Sequence, residues 1–250
     1  MTDKPLAGKV ALITGAGRGI GRAIALAYAG AGAAIGCAAR TQSEIDEVAG
    51  EIRARGGLAV AIPVDVTDRA AVQRMTGAVV AELGGLDILV INAGVNLDRR
   101  TVEESNPDDW IDTLNVNLTG AYFCAQAAIP HLKARGGGKI ITTGSGMGHR
   151  GSPERSAYCV SKAGLWMLTR CLAQELWPFN ISVNELVPGP VQTSMTSGEG
   201  SQGSRPAAGP NAQSEWQKGP EDVVPLALFL ATQPLVGPTA QSFSLMRRDG

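Results

Sequence analysis

Tyr158 and Lys162 stand four residues apart, and Ser145 lies thirteen residues before the tyrosine. The segment around the pair reads as helix, so this spacing puts phenol and ammonium on one face, about 5–6 Å apart at Cβ. An ammonium held there favours phenolate over phenol and is expected to draw the tyrosine down from its usual pKa of ~10. That makes a group able to donate or accept a proton near neutral pH, as interconversion of a carbonyl and an alcohol requires. A Tyr-x-x-x-Lys turn also arises by chance in many chains, so its meaning depends on a second feature that calls for a hydride carrier.

Such a feature stands near the N-terminus. Val10-Ala11-Leu12-Ile13 is a short apolar run of strand type; Thr14-Gly15-Ala16-Gly17-Arg18-Gly19-Ile20-Gly21 follows, and Arg22 to Ala29 reads as helix. A glycine turn between strand and helix is the context of a dinucleotide site. Glycines let the backbone approach a pyrophosphate, and exposed amides at the helix start favour an anion. The spacing Gly15-x-x-x-Gly19-x-Gly21 departs from Gly-x-Gly-x-x-Gly, because Ile20 takes the last glycine position. A glycine-rich loop capping an ordinary strand–helix unit is the alternative. Asn92-Ala93-Gly94, after the apolar run Leu86–Ile91, adds weight to the nucleotide reading.

Taken in order, the glycine turn, Asp65-Val66, Asn92-Ala93-Gly94, Asn117, Ser145, Tyr158/Lys162 and Pro188-Gly189 resemble the landmarks of single-domain short-chain dehydrogenases/reductases. The likeness runs from about residue 6 to about residue 246. It implies that Tyr158 is the general acid in reduction and the base in oxidation. Lys162 would lower its pKa and hydrogen-bond the nicotinamide ribose, and Ser145 would donate to the substrate oxygen as alkoxide character develops. Asn117 would hold a water that relays protons through Lys162, with Asn115 an alternative two residues away. Gly15, Arg18, Gly19, Ile20 and Gly21, with Val66, Asn92, Ala93 and Gly94, would contact the cofactor. Asp65 would bond the adenine amino group, although turn formation beside Val66-Thr67 is an equally plain role. Pro188, Gly189, Val191 and Thr193 would line the nicotinamide side. Relatives often carry a second serine just before Ser145; here Gly144 replaces it, and Thr142 and Thr143 are lesser candidates. His149 and Glu154 read first as ordinary loop residues, with tuning of specificity as the alternative.

The end of the second strand bears on the choice of cofactor. NAD sites commonly place an acid there for the ribose 2′-hydroxyl. Ala34-Ile35-Gly36-Cys37-Ala38-Ala39 ends without one, and Arg40-Thr41 follows. A guanidinium suits a 2′-phosphate. Arg18 also matches a position where NADP-preferring relatives are often basic, so NADP(H) is favoured over NAD(H).

Apolar strands alternate with amphipathic helices throughout, which predicts an α/β fold: a Rossmann-like, doubly wound, parallel seven-stranded sheet with helices on both faces, in one domain. Strands are expected at 9–14, 34–39, 58–63, 86–91, 138–143, 181–187 and 240–246, and helices at 19–31, 43–55, 68–83, 109–135, 155–177 and 221–232. Ser43 and Asp68 stand where N-caps belong, and Gly56-Gly57 and Gly84-Gly85 stop helices. The Gly-, Ser- and Pro-rich stretch 193–219 breaks this rhythm and reads as a substrate lid, with Met195 and Trp216 as its apolar contacts.

Length and charge bound the remaining classes. At 250 residues the chain can bury one large core. A net charge of −1 gives no footprint for nucleic acid. Residues 1–8 lack an apolar signal region, and no apolar stretch reaches the ~20 residues that span a bilayer, so a cytoplasmic protein without a membrane partner is expected. Four cysteines without Cys-x-x-Cys spacing read as buried free thiols, and two histidines make no recognisable metal site. The resemblance implies a homotetramer, or a dimer, built on helices 109–135 and 155–177 with Tyr122, Phe123, Leu165, Trp166 and Leu168 as candidate contacts. These same side chains would also serve as internal core. The C-terminus, Ser242 to Gly250, departs from the Asp-Gly-Gly common in relatives. The favoured activity is reduction of a ketone or oxidation of a secondary alcohol. A 3-oxoacyl thioester or a small cyclic or sugar-derived ketone is the candidate substrate. A silent nucleotide-binding regulator would be expected to have lost Ser145, Tyr158 or Lys162.

Overall fold

The computed structural model describes residues 4–193, 195 and 217–246. Seven parallel strands run in the order β3-β2-β1-β4-β5-β6-β7. They are β1 (Val10–Thr14), β2 (Ala34–Ala39), β3 (Ala59–Pro63), β4 (Ile88–Ile91), β5 (Gly138–Thr143), β6 (Ile181–Val187) and β7 (Ser242–Ser244). Between them lie α1 (Gly19–Gly30), α2 (Gln42–Ala54), α3 (Arg69–Leu83), α4 (Pro107–Leu114), α5 (Gly120–Ala134), α6 (Ser156–Leu176) and α7 (Val224–Thr232).

Strand side chains alternate between two cores, one on each face of the sheet. Ala11, Ile13, Ile35, Cys37, Val90, Ile141 and Leu186 pack with α1, α2 and α7 through Ile24, Tyr28, Ile45, Val48 and Leu230. Val10, Leu12, Leu89, Ile91, Ile140, Ile181 and Val183 pack with α3, α5 and α6 through Met75, Val79, Cys124, Ala128, Leu165 and Leu172. The expected architecture is therefore present. The buried Tyr28 hydroxyl donates to Ala227 O at 2.7 Å and ties α1 to α7.

Several boundaries differ from expectation, each for a local reason. Helix 109–135 begins earlier, at Pro107, because Asn106 caps it by accepting from Asp108 N at 3.0 Å. It also widens into a π-helical turn at Asn115–Thr119 before continuing as α5. Ser43 is not a cap: Thr41 takes the extended cap conformation, and Ser43 falls within the first turn of α2. Asp68 does cap α3, accepting from Ala71 N at 3.0 Å, and Gly84 ends that helix at φ +84°. The last strand shortens to three residues. All four cysteines are free, but Cys171 is exposed and Cys159 half-buried rather than core thiols. Among the described residues no helix is long and apolar enough to cross a membrane.

Asp87, immediately before β4, holds the amino-terminal end of the sheet together. Its Oδ2 accepts from Val10 N and from Arg135 Nη2, both at 3.0 Å, and Lys9 approaches its Oδ1 at 3.3 Å. Burial opposes ionisation, yet the bonds from Arg135 and Val10 and the charges of Lys9 and Arg135 outweigh it and hold the carboxyl below its usual range. Asp87→Ala is expected to cost about 1–3 kcal/mol at neutral pH, read from urea melts. A group whose folded pKa is lowered contributes fully above the unfolded value, ~3.9, and loses its contribution as pH falls through the native value. The difference between the two proteins should therefore close below about pH 4.

Candidate active site

Strand order reverses between β1 and β4, so their carboxyl ends open a crevice of the kind in which such sheets bind ligands. The glycine turn leaves β1 there and Asn92-Ala93-Gly94 leaves β4. One hydroxyl joins them: Thr14 Oγ1 accepts from Asn92 N at 3.0 Å and from Ala93 N at 3.1 Å. Asn92 Nδ2 in turn donates to the carbonyls of Thr14 (3.1 Å) and Gly15 (3.3 Å), while its Oδ1 accepts from Thr143 Oγ1 (3.3 Å) at the end of β5. Three strand ends are thus fixed by two side chains. The sequence did not mark Thr14 as functional; its position directly before Gly15 was the available signal.

The turn is a cradle that side chains would fill. Gly15 and Gly19 have φ of +67° and +56°, favourable to glycine alone. A Cβ on Gly21 would lie 2.1 Å from Gly15 O, so only glycine lets α1 start this close under the turn. Backbone amides at the start of α1 then face the crevice, which suits a pyrophosphate. Ile20 packs against the core on the α1 side. Thr193 reaches over the turn from the far side, with its Cγ2 3.2 Å from where a Cβ of Gly19 would sit. Gly189 (φ +68°) turns the chain after Pro188, and Val191 is buried and bridged to Lys218. These residues fit a dinucleotide running from the glycine turn toward β6.

At the carboxyl ends of β2 and β3, Arg40, Pro63, Val64, Asp65, Asp68 and Ala71 line a shallow cleft. Asp65 Oδ1 accepts from both the amide and the hydroxyl of Thr67, at 2.9 and 2.8 Å, so the turn-forming role is realised. Burial raises its pKa, but these bonds and the Arg40 charge bring the net below the usual carboxylate value. Arg18 is two-thirds exposed and pairs with Glu44 at 3.4 Å. Val66 turns its side chain inward, against the bare face of Gly120.

Ser145, Tyr158 and Lys162 gather at the carboxyl ends of β4 and β5. Lys162, on α6, is buried and donates from Nζ to Thr143 O at 2.8 Å. Burial lowers its pKa to about 8, although Glu185 opposes the fall. Its Nζ lies 5.8 Å from the centroid of the Tyr158 ring. The expected depression of Tyr158 is absent. Burial pushes that hydroxyl above its ordinary value, a hydrogen bond with Ser145 pulls it back, and Cys159 adds to the rise. The nearby ammonium bonds Thr143 instead, and desolvation of the phenol dominates. Ser145 Oγ also accepts from Met147 N at 3.2 Å, which orients it.

Asn117, rather than Asn115, is the buried asparagine of the π turn. Its Oδ1 accepts from Val95 N at 2.8 Å, and its Nδ2 donates to Val95 O (2.9 Å) and Ser161 Oγ (3.0 Å). Gly94 makes room for both groups: a Cβ there would lie 3.2 Å from Asn117 Oδ1 and 3.7 Å from Lys162 Nζ. Single π turns inside helices often mark functional sites.

Other expectations divide. Thr142 bonds Thr169 at 2.9 Å and is internal. Glu154 is an exposed loop residue, whereas His149 bonds the fully buried Glu185 at 2.9 Å and is no ordinary loop residue. Leu165 is core rather than a surface contact, and Phe123 and Leu168 pack partly against it, while Tyr122 remains exposed. Trp216 and most of the expected lid fall outside the described residues. Met195 is among those described, and its carbonyl accepts from Arg99 Nη2 at 2.6 Å.

A cradle for a dinucleotide beside a Ser/Tyr/Lys cluster defines a nicotinamide-dependent oxidoreductase. The family model described as short chain dehydrogenase matches residues 9–203, and the chain belongs to that family. It is 34% identical over 227 residues to a 3-oxoacyl-[acyl-carrier-protein] reductase of Thermotoga maritima, covering 91% of this chain and 92% of that one. A carveol dehydrogenase from Mycobacterium avium, solved in complex with NAD, superposes with a TM-score of 0.89 at 30% identity, covering 96% of this chain and 97% of that one. A short chain dehydrogenase from Burkholderia cenocepacia J2315, in complex with NADP, gives 0.84 at 34% identity with the same coverage of both chains.

Replacing Thr14 by Val keeps shape but strands two amides and unties the glycine turn from β4. The expected cost is about 1–3 kcal/mol of stability, with weakened nicotinamide-cofactor affinity measured by fluorescence titration.

Proposed function

We propose that this protein is an NADP(H)-dependent carbonyl reductase, interconverting a small-molecule ketone and its secondary alcohol in the cytoplasm. The observation that carries this reading is the convergence of Ser145, Tyr158 and Lys162 beside the glycine cradle, linked to it through Thr143 and Asn92.

Gly15, Gly19 and Gly21 would hold the pyrophosphate, Lys162 the nicotinamide ribose, and Pro188, Gly189, Val191 and Thr193 the nicotinamide side. When bound, the nicotinamide supplies the hydride in reduction or accepts it in oxidation. In reduction Tyr158 gives its proton to the substrate oxygen as the carbonyl carbon gains hydride, and Ser145 donates a hydrogen bond to the same oxygen. Lys162 places a positive charge behind that transfer, and Asn117 is the proposed anchor of the water that returns a proton through Lys162. A tyrosine hydroxyl held protonated by burial suits the acid role, so reduction should be the faster direction near neutral pH. Oxidation should climb as pH rises and the phenol ionises.

Arg40 at the rim of the adenosine cleft supports the NADP(H) preference. Arg18 adds a second guanidinium, its charge shared with Glu44. A 3-oxoacyl thioester is the second substrate reading, supported by the likeness to the Thermotoga reductase. Assembly as a homotetramer through α5 and α6 is proposed as well, with Tyr122, Val160 and Met167 exposed on those helices and light scattering as its check.

A panel of ketones and 3-oxoacyl thioesters with NADPH, followed by loss of nicotinamide absorbance, tests the activity. Tyr158→Phe is expected to lower kcat about 10²–10⁴-fold with cofactor binding kept, and undiminished turnover would remove Tyr158 from the acid role. Arg40→Ala is expected to raise KM for NADPH about tenfold or more and to leave KM for NADH nearly unchanged. A wild-type preference for NADH would overturn the cofactor assignment.

A further inference from the structure

Glu185 sits in the middle of β6 with none of its surface exposed. Carboxyl groups are seldom taken wholly out of water unless paired, because burial removes their hydration. Alternation along β6 places Glu185 on the same face as Ile181 and Val183, the face covered by α6. The groups that meet it come from each neighbouring element. His149 Nε2, from the loop between Ser145 and Tyr158, bonds Oε2 at 2.9 Å. Ser242, its register partner on β7, donates to the same oxygen at 2.5 Å. Lys162 on α6 donates from Nζ to Thr143 O at 2.8 Å, one residue before the Gly144 that this carboxyl abuts, and the carboxylate favours the charged form of the lysine. Among the described residues Oε1 has no hydrogen-bond partner, and it abuts Gly144, where a Cβ would come within 1.8 Å of it.

That last contact accounts for the glycine. The carboxyl of Glu185 occupies the space that a side chain at position 144 would need, so Glu185 in this conformation requires the glycine. The loop beyond is fixed from both sides. A Cβ on Gly148 would lie 2.8 Å from the Lys162 carbonyl carbon, and the His149 ring meets Trp166 edge-on at 5.1 Å, with Arg170 over that indole. Ser145 therefore begins a short arch whose far end is held by Glu185.

We propose that Glu185 is a positioning residue of this active site: it is the buried counter-charge of Lys162 and, through His149, it clamps the arch that carries Ser145. The proposal rests on the assignment of Lys162 and Ser145 to the reaction, but its first test does not need turnover. In protein carrying ¹³Cε-labelled lysine, the Lys162 resonance, identified by its loss in Lys162→Met, is titrated by NMR without substrate. Glu185→Gln keeps the shape and removes the charge; the Lys162 midpoint is expected to fall by about half a pH unit or more. An unmoved midpoint in a cooperatively melting variant overturns the counter-charge. If Glu185→Gln does not fold, the double variant Gly144→Ser/Glu185→Ala, in which a serine side chain refills the space, is titrated instead with the same two outcomes. The clamp is tested by His149→Asn. Its kcat is expected to fall about tenfold with the KM for NADPH unchanged, since the hydrogen bond from Ser145 is used in the reacting state. Unchanged kcat with only a lowered Tm would overturn the clamp. If wild-type protein turns over no ketone or alcohol, the proposed function fails while the titration still stands on its own.

Discussion

An ammonium taken out of water is the constraint around which this site is arranged. Lys162 has lost its hydration, and in exchange it has one carbonyl, Thr143 O, at 2.8 Å and a carboxyl in the next strand. Such a group retains its charge only where the surrounding dipoles and counter-charges are fixed. The rigidity is supplied by the sheet. Thr143 ends β5, Glu185 lies within β6, and the helix bearing Lys162 is packed along its length by Leu165, Leu172 and Leu176. The local instability of the cation is set against the stability of the fold's most buried strands.

The same economy of side chains joins the glycine turn to Lys162. Thr14 and Asn92 tie the glycine turn to β4, and Asn92 passes the constraint to Thr143, whose carbonyl holds Lys162. Displacing the turn would therefore be felt at the ammonium through three hydrogen bonds. Gly94 has a parallel part, since its bare Cα lets Asn117 and Lys162 approach from opposite helices.

Much of this was legible in the sequence, for identifiable reasons. Strand and helix order follow from apolar periodicity, and the cradle from glycines whose spacing has a steric meaning. Tyr158, Lys162 and Ser145 could be named because, with the glycine turn, they fall in the order of a known family's landmarks; their spacing alone said little. What escaped depends on contacts between distant segments. Nothing local in Ile181–Val187 says that Glu185 points at α6, or that His149, 36 residues earlier, meets it. The rise of the Tyr158 pKa was not legible because one-turn proximity gives no information on desolvation, which outweighs the hydrogen bond from Ser145. The π turn at Asn115–Thr119 was invisible for a similar reason: regular periodicity gives no warning of one added residue.

The isolated bridge between Val191 and Lys218 has an evolutionary reading. It closes the base of the excursion between β6 and the last helix, with Gln192 N donating to Lys218 O and Lys218 N to Pro190 O, at 2.8 and 3.1 Å. Whatever sequence is spliced between those two points, the scaffold receives the chain back at one place and in one direction. Residues between those two points can therefore differ in sequence or number while β6 and the last helix keep their places in the fold.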